Sequence, residues 1–296
     1  MEVISDMASI SELTLQELFP KTLTDTSCVY IEKDSEVWLA TEMCAQYIES
    51  VVDSIVVCDP NQKPIGIIGG YDLLDHLRKN PTRDFQYHHK VEEIMFTDLP
   101  QIEKTTILKD LIERWRDSRR AFAILPNETG GFSPISARKM LELGSKCMTD
   151  ITVSSIPKKK IITFHNDDSL GKVLDLMFEN KARKLILENS NQFISDRLIL
   201  TGISNKLKFE KEVDNFLDLP INEFCFEQVR IIKEDLKFNQ LCSVMDKMDH
   251  PFVVYNDIPI TPWDVCLTLM SEGLKNLDGI EYQKITCPHC GKPISL

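Results

Sequence analysis

The clearest pattern of apolar and polar positions runs from Val37 to Asn80. Its first segment, WLATEMCAQYIES, carries Leu39, Met43, Ala45 and Tyr47 at near-helical spacing. SIVVCD follows, a β-branched run typical of a buried strand. PNQKP, with proline at both ends, reads as a turn. IGIIGG is a second buried strand ending in glycine, and YDLLDHLRKN is a helix stopped by Pro81. The order is helix, strand, turn, strand, helix.

That order returns three more times. The second copy has LKDLIERWRDS as helix, RAFAILP and FSPIS as strands around NETGG, and ARKMLELG as helix. In the third, SLGKVLDLMFEN is the helix, KLILEN the strand, NQFISD a longer turn and RLILTG the returning strand. The fourth has FNQLCSVMDKM, then PFVVYN and IPIT around a minimal turn at Asp257, then PWDVCLTLM. Short lead-ins precede the copies: LQELF, VEEIMF, GSKCM and INEFCF. The basic stretch IPKKKII, near 156–162, is expected to approach a strand of the third copy rather than to link domains. A unit of ~60 residues buries too little surface to be comfortable alone, so the copies should pair sheet to sheet. The expected pairs are 15–145 (repeats 15–85 and 90–145) and 146–275 (repeats 146–210 and 217–275). Residues 1–14 form a lead-in and 276–296 a tail.

The repeated unit, with residues such as VVCDPNQKPIGIIGGYDLL, resembles the CBS domain, the repeat named for cystathionine β-synthase. Two such repeats form a Bateman module. The resemblance covers about 15–275 and implies an α/β (α+β) fold of four β-α-β-β-α repeats paired into two Bateman modules. It also implies clefts between paired repeats that take adenosine nucleotides (AMP, ADP or ATP) or relatives such as S-adenosylmethionine and dinucleotides. The family's signature at the exit from the last strand is an apolar residue, Ser or Thr, two others, and Asp. A carboxylate there suits a ribose diol, and a hydroxyl at a helix start can cap the helix and face a phosphate. Repeat four keeps the signature in full, Ile260-Thr261-Pro262-Trp263-Asp264. Repeat one, Ile68-Gly69-Gly70-Tyr71-Asp72, keeps the Asp but has Gly69 in place of Thr. Repeat two, Ile135-Ser136-Ala137-Arg138-Lys139, has Lys where Asp belongs, and repeat three, aligned on Leu200-Thr201-Gly202-Ile203-Ser204, also lacks the Asp.

Just before the middle strand, repeat two carries Arg119 and Arg120, repeat three Lys181, Arg183 and Lys184, repeat four His250, and repeat one Asp53. Each module is therefore expected to pair an Asp-bearing repeat with a basic one. Asp72 would hold ribose while Arg119 or Arg120 meets phosphate. Asp264 and Thr261 would do the same with Arg183 or Lys184. Arginine suits bidentate phosphate contacts. The alternative is that these cations only complement helix C-termini and the carboxylates only cap helices.

Charge narrows the function classes. Against 46 Asp+Glu the chain has 34 Lys+Arg, a net charge of −12, which argues against a DNA-coating protein. No apolar run approaches the ~20 residues that span a bilayer. The first ten residues carry Glu2 and Asp6 without a basic stretch, unlike a secretory signal. Nine scattered cysteines suit a reducing cytoplasm better than a disulfide framework. Seven of them read as small core residues. The other two, Cys287 and Cys290, form a C-x-x-C knuckle followed by Gly291, half of a zinc ribbon. A second copy of the chain, His88-His89 or an isolated cysteine would have to complete four zinc ligands. His88-His89 otherwise reads as a solvated loop, and Trp38 and Trp115 as packing residues. No P-loop, G-x-S-x-G elbow or H-E-x-x-H motif occurs.

Four repeats leave no room for a catalytic domain. The expectation is a non-catalytic, cytoplasmic regulatory protein that binds an adenosine nucleotide and signals to a partner. The alternative is a CBS-based scaffold that docks on a protein or ribonucleoprotein with little ligand binding. A homodimer is expected from the zinc half-site and from the pairing habit of such modules.

Overall fold

In the computed structural model the described residues are 9–46, 54–209, 213–271, 274 and 276–277. After a short helix α1 (Leu15–Leu18), repeat one runs β1 (Tyr30–Glu32), α2 (Val37–Gln46), β2 (Ser54–Cys58), β3 (Pro64–Gly69) and α3 (Gly70–Lys79). A connecting helix α4 (Arg83–His88) leads to repeat two: α5 (Leu108–Ser118), β4 (Phe122–Pro126), β5 (Phe132–Ser136) and α6 (Lys139–Ser145). A two-residue strand β6 (Cys147–Met148) precedes repeat three, which is β7 (Thr163–Phe164), α7 (Leu170–Glu179), β8 (Lys184–Leu187), β9 (Gln192–Ser195) and α8 (Asp196–Phe209). Strand β10 (Glu227–Gln228) opens the approach to repeat four: β11 (Arg230–Ile232), α9 (Phe238–Asp246), β12 (Val253–Tyr255), β13 (Ile258–Ile260) and α10 (Pro262–Leu269). The chain described ends at β14 (Asn276–Leu277), antiparallel to β6.

Each repeat has one topology. The lead-in strand lies parallel to the first hairpin strand, as in β1–β2, β7–β8 and β11–β12. In repeat two a single parallel bridge, Gln101 to Ile124, marks the same place. The hairpins are antiparallel. Their turns use left-handed residues suited to tight reversals: Gln62, Gly130, Asn189, and Asn256 with Asp257.

Repeat three departs from the sequence reading. RLILTG is not a strand but lies within α8, and the returning strand is Gln192–Ser195. The spacing of the buried positions decides it: Ile199, Leu200, Ile203, Ser204 and Leu207 recur at helical intervals and face one core. The α-helical register wins over the β-type composition because Ser195 and Asp196 start the helix, Ser195 Oγ accepting the Leu198 N–H.

Sheets pair within consecutive repeats. The Cys28 N–H donates to the Phe132 carbonyl, and Ile67 and Phe96 exchange backbone hydrogen bonds, joining repeats one and two. Cys28, Val56, Cys58, Ile67, Phe122 and Ile124 form the apolar seam between them. Strand β10 pairs with β9, and the Phe193 and Phe252 rings meet at 5.0 Å, joining repeats three and four. Helices pair the other way: α2 and α3 lie on α8, and α6 lies on α9 and α10. One large core therefore spans repeats one and three, and another spans two and four. A fully buried Leu or Ile contributes about 1.5–3 kcal/mol relative to exposure, which these helix layers multiply many times.

Of the seven cysteines read as core residues, Cys28, Cys58, Cys147, Cys242 and Cys266 are buried, but Cys44 is half-buried and Cys225 exposed. Cys225 lies beyond the 3-10 turn Ile221–Glu223, where its buried neighbour Phe224 fills the core instead. No helix among the described residues is long and apolar enough to cross a membrane.

Candidate functional site

The hairpin registers align the strand exits. Gly69 lies opposite Ser54, Ser136 opposite Phe122, and Ser195 opposite Lys184; Thr261 comes one step past the Ile260–Val253 pair. Three residues further on stand Asp72, Lys139, Leu198 and Asp264. Repeat three thus carries its hydroxyl on Ser195 rather than Thr201, a second consequence of the misplaced strand. Thr201 instead donates to the Arg197 carbonyl inside α8.

At the exit of repeat one, Asp72 is the third residue of α3 and accepts the Gly69 N–H at 3.0 Å. Its two oxygens also receive both terminal nitrogens of Arg120, each at 2.6 Å. Arg120 comes from the start of the repeat-two hairpin and stacks over the Phe96 ring at 4.1 Å. The residues expected to divide ribose and phosphate between them are therefore bonded to each other, in a half-buried, bidentate pair. Arg119 does not reach the site. It is exposed and takes the left-handed conformation that ends α5.

At the exit of repeat four, Asp264 is 1% exposed. Its Oδ2 accepts from both the Thr261 N–H (2.9 Å) and the Thr261 hydroxyl (2.8 Å), with Pro262 in the first turn of α10. Its Oδ1 is buried and receives no hydrogen bond. The ammonium of Lys159 lies in ionic contact with that oxygen, off the direction of a hydrogen bond. Lys159 belongs to the exposed run that leads into β7. Sequence reasoning misses it by looking for the cation at the hairpin start; the run of three lysines at 158–160 is the available signal.

Arg183 and Lys184 go elsewhere. Arg183 donates through Nε to Asp196 Oδ2 at 2.7 Å, within its own repeat. Burial alone would push the Asp196 carboxyl up, but Arg183, with Lys184 and Arg197 nearby, holds it below the usual carboxylate range. Lys184 donates to the Pro251 carbonyl at 3.3 Å and lies over the Phe252 ring. His250 sits beside these groups, its ring edge-on to Phe193 at 6.3 Å. Burial, then the charges of Lys184 and Arg197, pull its pKa down to about 4, so the ring is neutral at pH 7. At the exit of repeat two, Lys139 pairs with Asp25 (3.2 Å) and Glu142 (3.0 Å).

His88 closes α4 rather than lying in a loop and pairs with Asp84 at 2.9 Å, while His89 pairs with Glu93 at 2.6 Å. Trp115 is buried as expected, and Trp38 is half-buried against Tyr87. Asp53, Cys287 and Cys290 lie outside the described residues. Among the described residues no cluster of three or more His, Cys, Asp and Glu could hold a metal ion.

No family profile and no curated protein matches the sequence. Solved structures do match. A protein of Methanocaldococcus jannaschii, described as a candidate archaeal homologue of γ-AMPK, aligns with 86% of this chain and 99% of its own at 17% identity and a TM-score of 0.69. A CBS-domain protein of Agrobacterium tumefaciens covers 48% of this chain and 98% of its own, at 15% identity and a TM-score of 0.38. A protein designated CBSX2, solved in complex with AMP, covers 42% of this chain and 90% of its own, at 18% identity and a TM-score of 0.31.

Proposed function

From a chain that has the fold of CBS-domain proteins in four copies, we propose a non-catalytic regulatory protein that binds an adenosine nucleotide. The nucleotide, of the AMP, ADP or ATP class, sits where the strand exit of one repeat meets the approach or hairpin start of its partner. In this reading 15–145 and 146–275 act as two modules in the cytoplasm. Differential affinity of the ligand for two module arrangements transmits the signal to a protein partner.

One observation carries the reading: Asp264 is fully buried at a strand exit, yet its Oδ1 receives no hydrogen bond and has only the ionic contact of a half-exposed lysine. A buried carboxylate oxygen without a hydrogen-bond donor is costly to maintain and calls for a partner. A ribose hydroxyl supplies that donor. The test is a thermal-shift panel with AMP, ADP, ATP, S-adenosylmethionine and NAD on the wild type and Asp264→Ala. A ligand at 100 times its Kd adds about 2.7 kcal/mol, or several degrees at roughly 2–4 °C per kcal/mol. The expected result is a rise with an adenosine nucleotide that Asp264→Ala abolishes. No rise with any compound on folded protein, or a rise that survives the substitution, sinks the reading.

The scaffold reading also has an observation in its favour. Arg120 already occupies both oxygens of Asp72, and Lys139 and Leu198 stand where two further carboxylates would be. In that reading the repeats present a docking surface for a protein or ribonucleoprotein. A homodimer, with Cys287 and Cys290 from each copy sharing zinc, belongs to either reading. Light scattering with and without zinc tests it: a monomer under both conditions removes it.

A further inference from the structure

Lysines 158–160 form an exposed run that belongs to no helix or strand. It is anchored upstream by buried Ile156 and downstream by β7. Between those anchors Lys159 turns inward to a carboxylate that is 1% exposed, while its own side chain remains 41% exposed. The contact is ionic, without hydrogen-bond direction, and it falls on the one Asp264 oxygen that Thr261 leaves open. A flexible lysine stem of this kind is a weak tether for its loop and a weak partner for the acid.

We infer that Lys159 is a built-in competitor for the Asp264 site, and that a ligand which takes Oδ1 releases the run 157–160. This rests on the nucleotide reading above and adds the regulation of that site. While Lys159 is in place, Oδ1 is neutralised and the loop is held down. When a ribose hydroxyl donates to Oδ1, the ammonium loses its position and three consecutive lysines come free together. The freed run is a basic segment on a protein of net charge −12, an element a partner can read. The repeat-one site has no equivalent release, because its cation is Arg120, held by two hydrogen bonds and by Phe96.

The inference predicts opposite effects on loop and affinity from two substitutions. Lys159→Met keeps the apolar stem of a side chain that is 41% exposed and lies outside every helix and strand. It frees the loop and strengthens nucleotide binding about three- to tenfold, as removal of an internal competitor held closed that often requires. Asp264→Asn frees the loop without ligand. The readouts are trypsin cleavage after Lys158 and Lys160 on the full chain, and calorimetry with AMP, ADP and ATP. Wild type should be cleaved slowly alone and several-fold faster with the nucleotide that binds; both variants should be cleaved fast from the start. Equal cleavage of wild type and both variants without ligand overturns the tether. Weaker nucleotide binding by Lys159→Met overturns the competitor role and makes Lys159 a direct ligand contact. Nucleotide binding that leaves wild-type cleavage unchanged overturns the release while preserving the nucleotide reading. Absence of binding to both wild type and Lys159→Met overturns the nucleotide reading and the exchange with it, whereas the apo cleavage rates still report on the tether separately.

Discussion

The two strand exits that keep an aspartate hold it in different ways. Asp72 gives both oxygens to Arg120, and the guanidinium is itself pinned on Phe96. Asp264 gives one oxygen to its own helix cap and leaves the other to a lysine that only leans on it. The same residue type at the same place in the repeat therefore serves as a fastener in one site and as an open acceptor in the other. The difference lies in the cation. A planar fork fits a carboxylate at two points, and an ammonium on a four-carbon stem does not. A signature read along the chain finds both aspartates but not this distinction, because the deciding residue comes from another repeat.

Arg120→Ala should separate the two sites most clearly. It strands a carboxylate that is 13% exposed and removes two charge-assisted hydrogen bonds and a stacking contact. Hydrogen bonds to charged groups contribute about 1.5–3 kcal/mol, and a stranded, mostly buried acceptor adds to the loss. The expected cost is about 2 kcal/mol, which denaturant unfolding will read as a lower midpoint with an unchanged slope. The same variant opens Asp72, so a second nucleotide-binding event should appear beside the one at Asp264. A neutral stability effect would mean that Arg120 is as replaceable as Lys159, and the contrast between the sites would collapse.

How far the chain reveals this depends on distance in sequence. Repeats one, two and four are legible because their helices and hairpins alternate in period and their turns carry proline, glycine or Asn-Asp. Repeat three misleads at RLILTG, where leucine and isoleucine suit either state and only the helical recurrence of buried positions on to Ile203, Ser204 and Leu207 decides. That slip moves the signature from Ser195 to Thr201. Asp264, Thr261 and Asp72 emerge from local pattern. Lys159 does not, since its partner is over a hundred residues away and nothing local marks an ion pair. The expected partners Arg183 and Lys184 are nearer the pattern, yet Asp196 and the Pro251 carbonyl claim them.

A third cluster tests whether basic surroundings can be tuned by pH. His250 meets the Phe193 ring edge-on and feels the charges of Lys184, Arg197, Asp196 and Asp249; burial first, then the two cations, lowers its pKa to about 4. In the unfolded chain it titrates near 6.5. Between those values the unfolded state binds the extra proton, so stability rises with pH across the window and is lost as pH falls from about 6.5 toward 4. Solvent reaches part of the ring, so the effect is about 1 kcal/mol rather than the full linkage of a dry site. His250→Gln should flatten that part of the stability curve, measured by urea unfolding at pH 4.5 and 7. The loss of Asp196, whose carboxyl Arg183 holds low, belongs to a separate window below about pH 4.

The smallest effect is also the most specific. Lys159→Met removes a cation that is 41% exposed from an acceptor that is 1% exposed: solvent weakens the contact, but the carboxylate is left without its cation. The expected change is about 1 kcal/mol, half of that for Arg120→Ala. A double-mutant cycle with Asp264→Asn sharpens the point: the coupling should be no more than about 1 kcal/mol, against a larger one for Arg120 with Asp72. A site meant to exchange its internal cation for a ligand needs this weakness, because tight internal pairing would be subtracted from every binding event. If the Lys159–Asp264 coupling equals that of Arg120 and Asp72, both carboxylates are fasteners, and the four repeats are better understood as a rigid platform for a partner than as a receptor for a nucleotide.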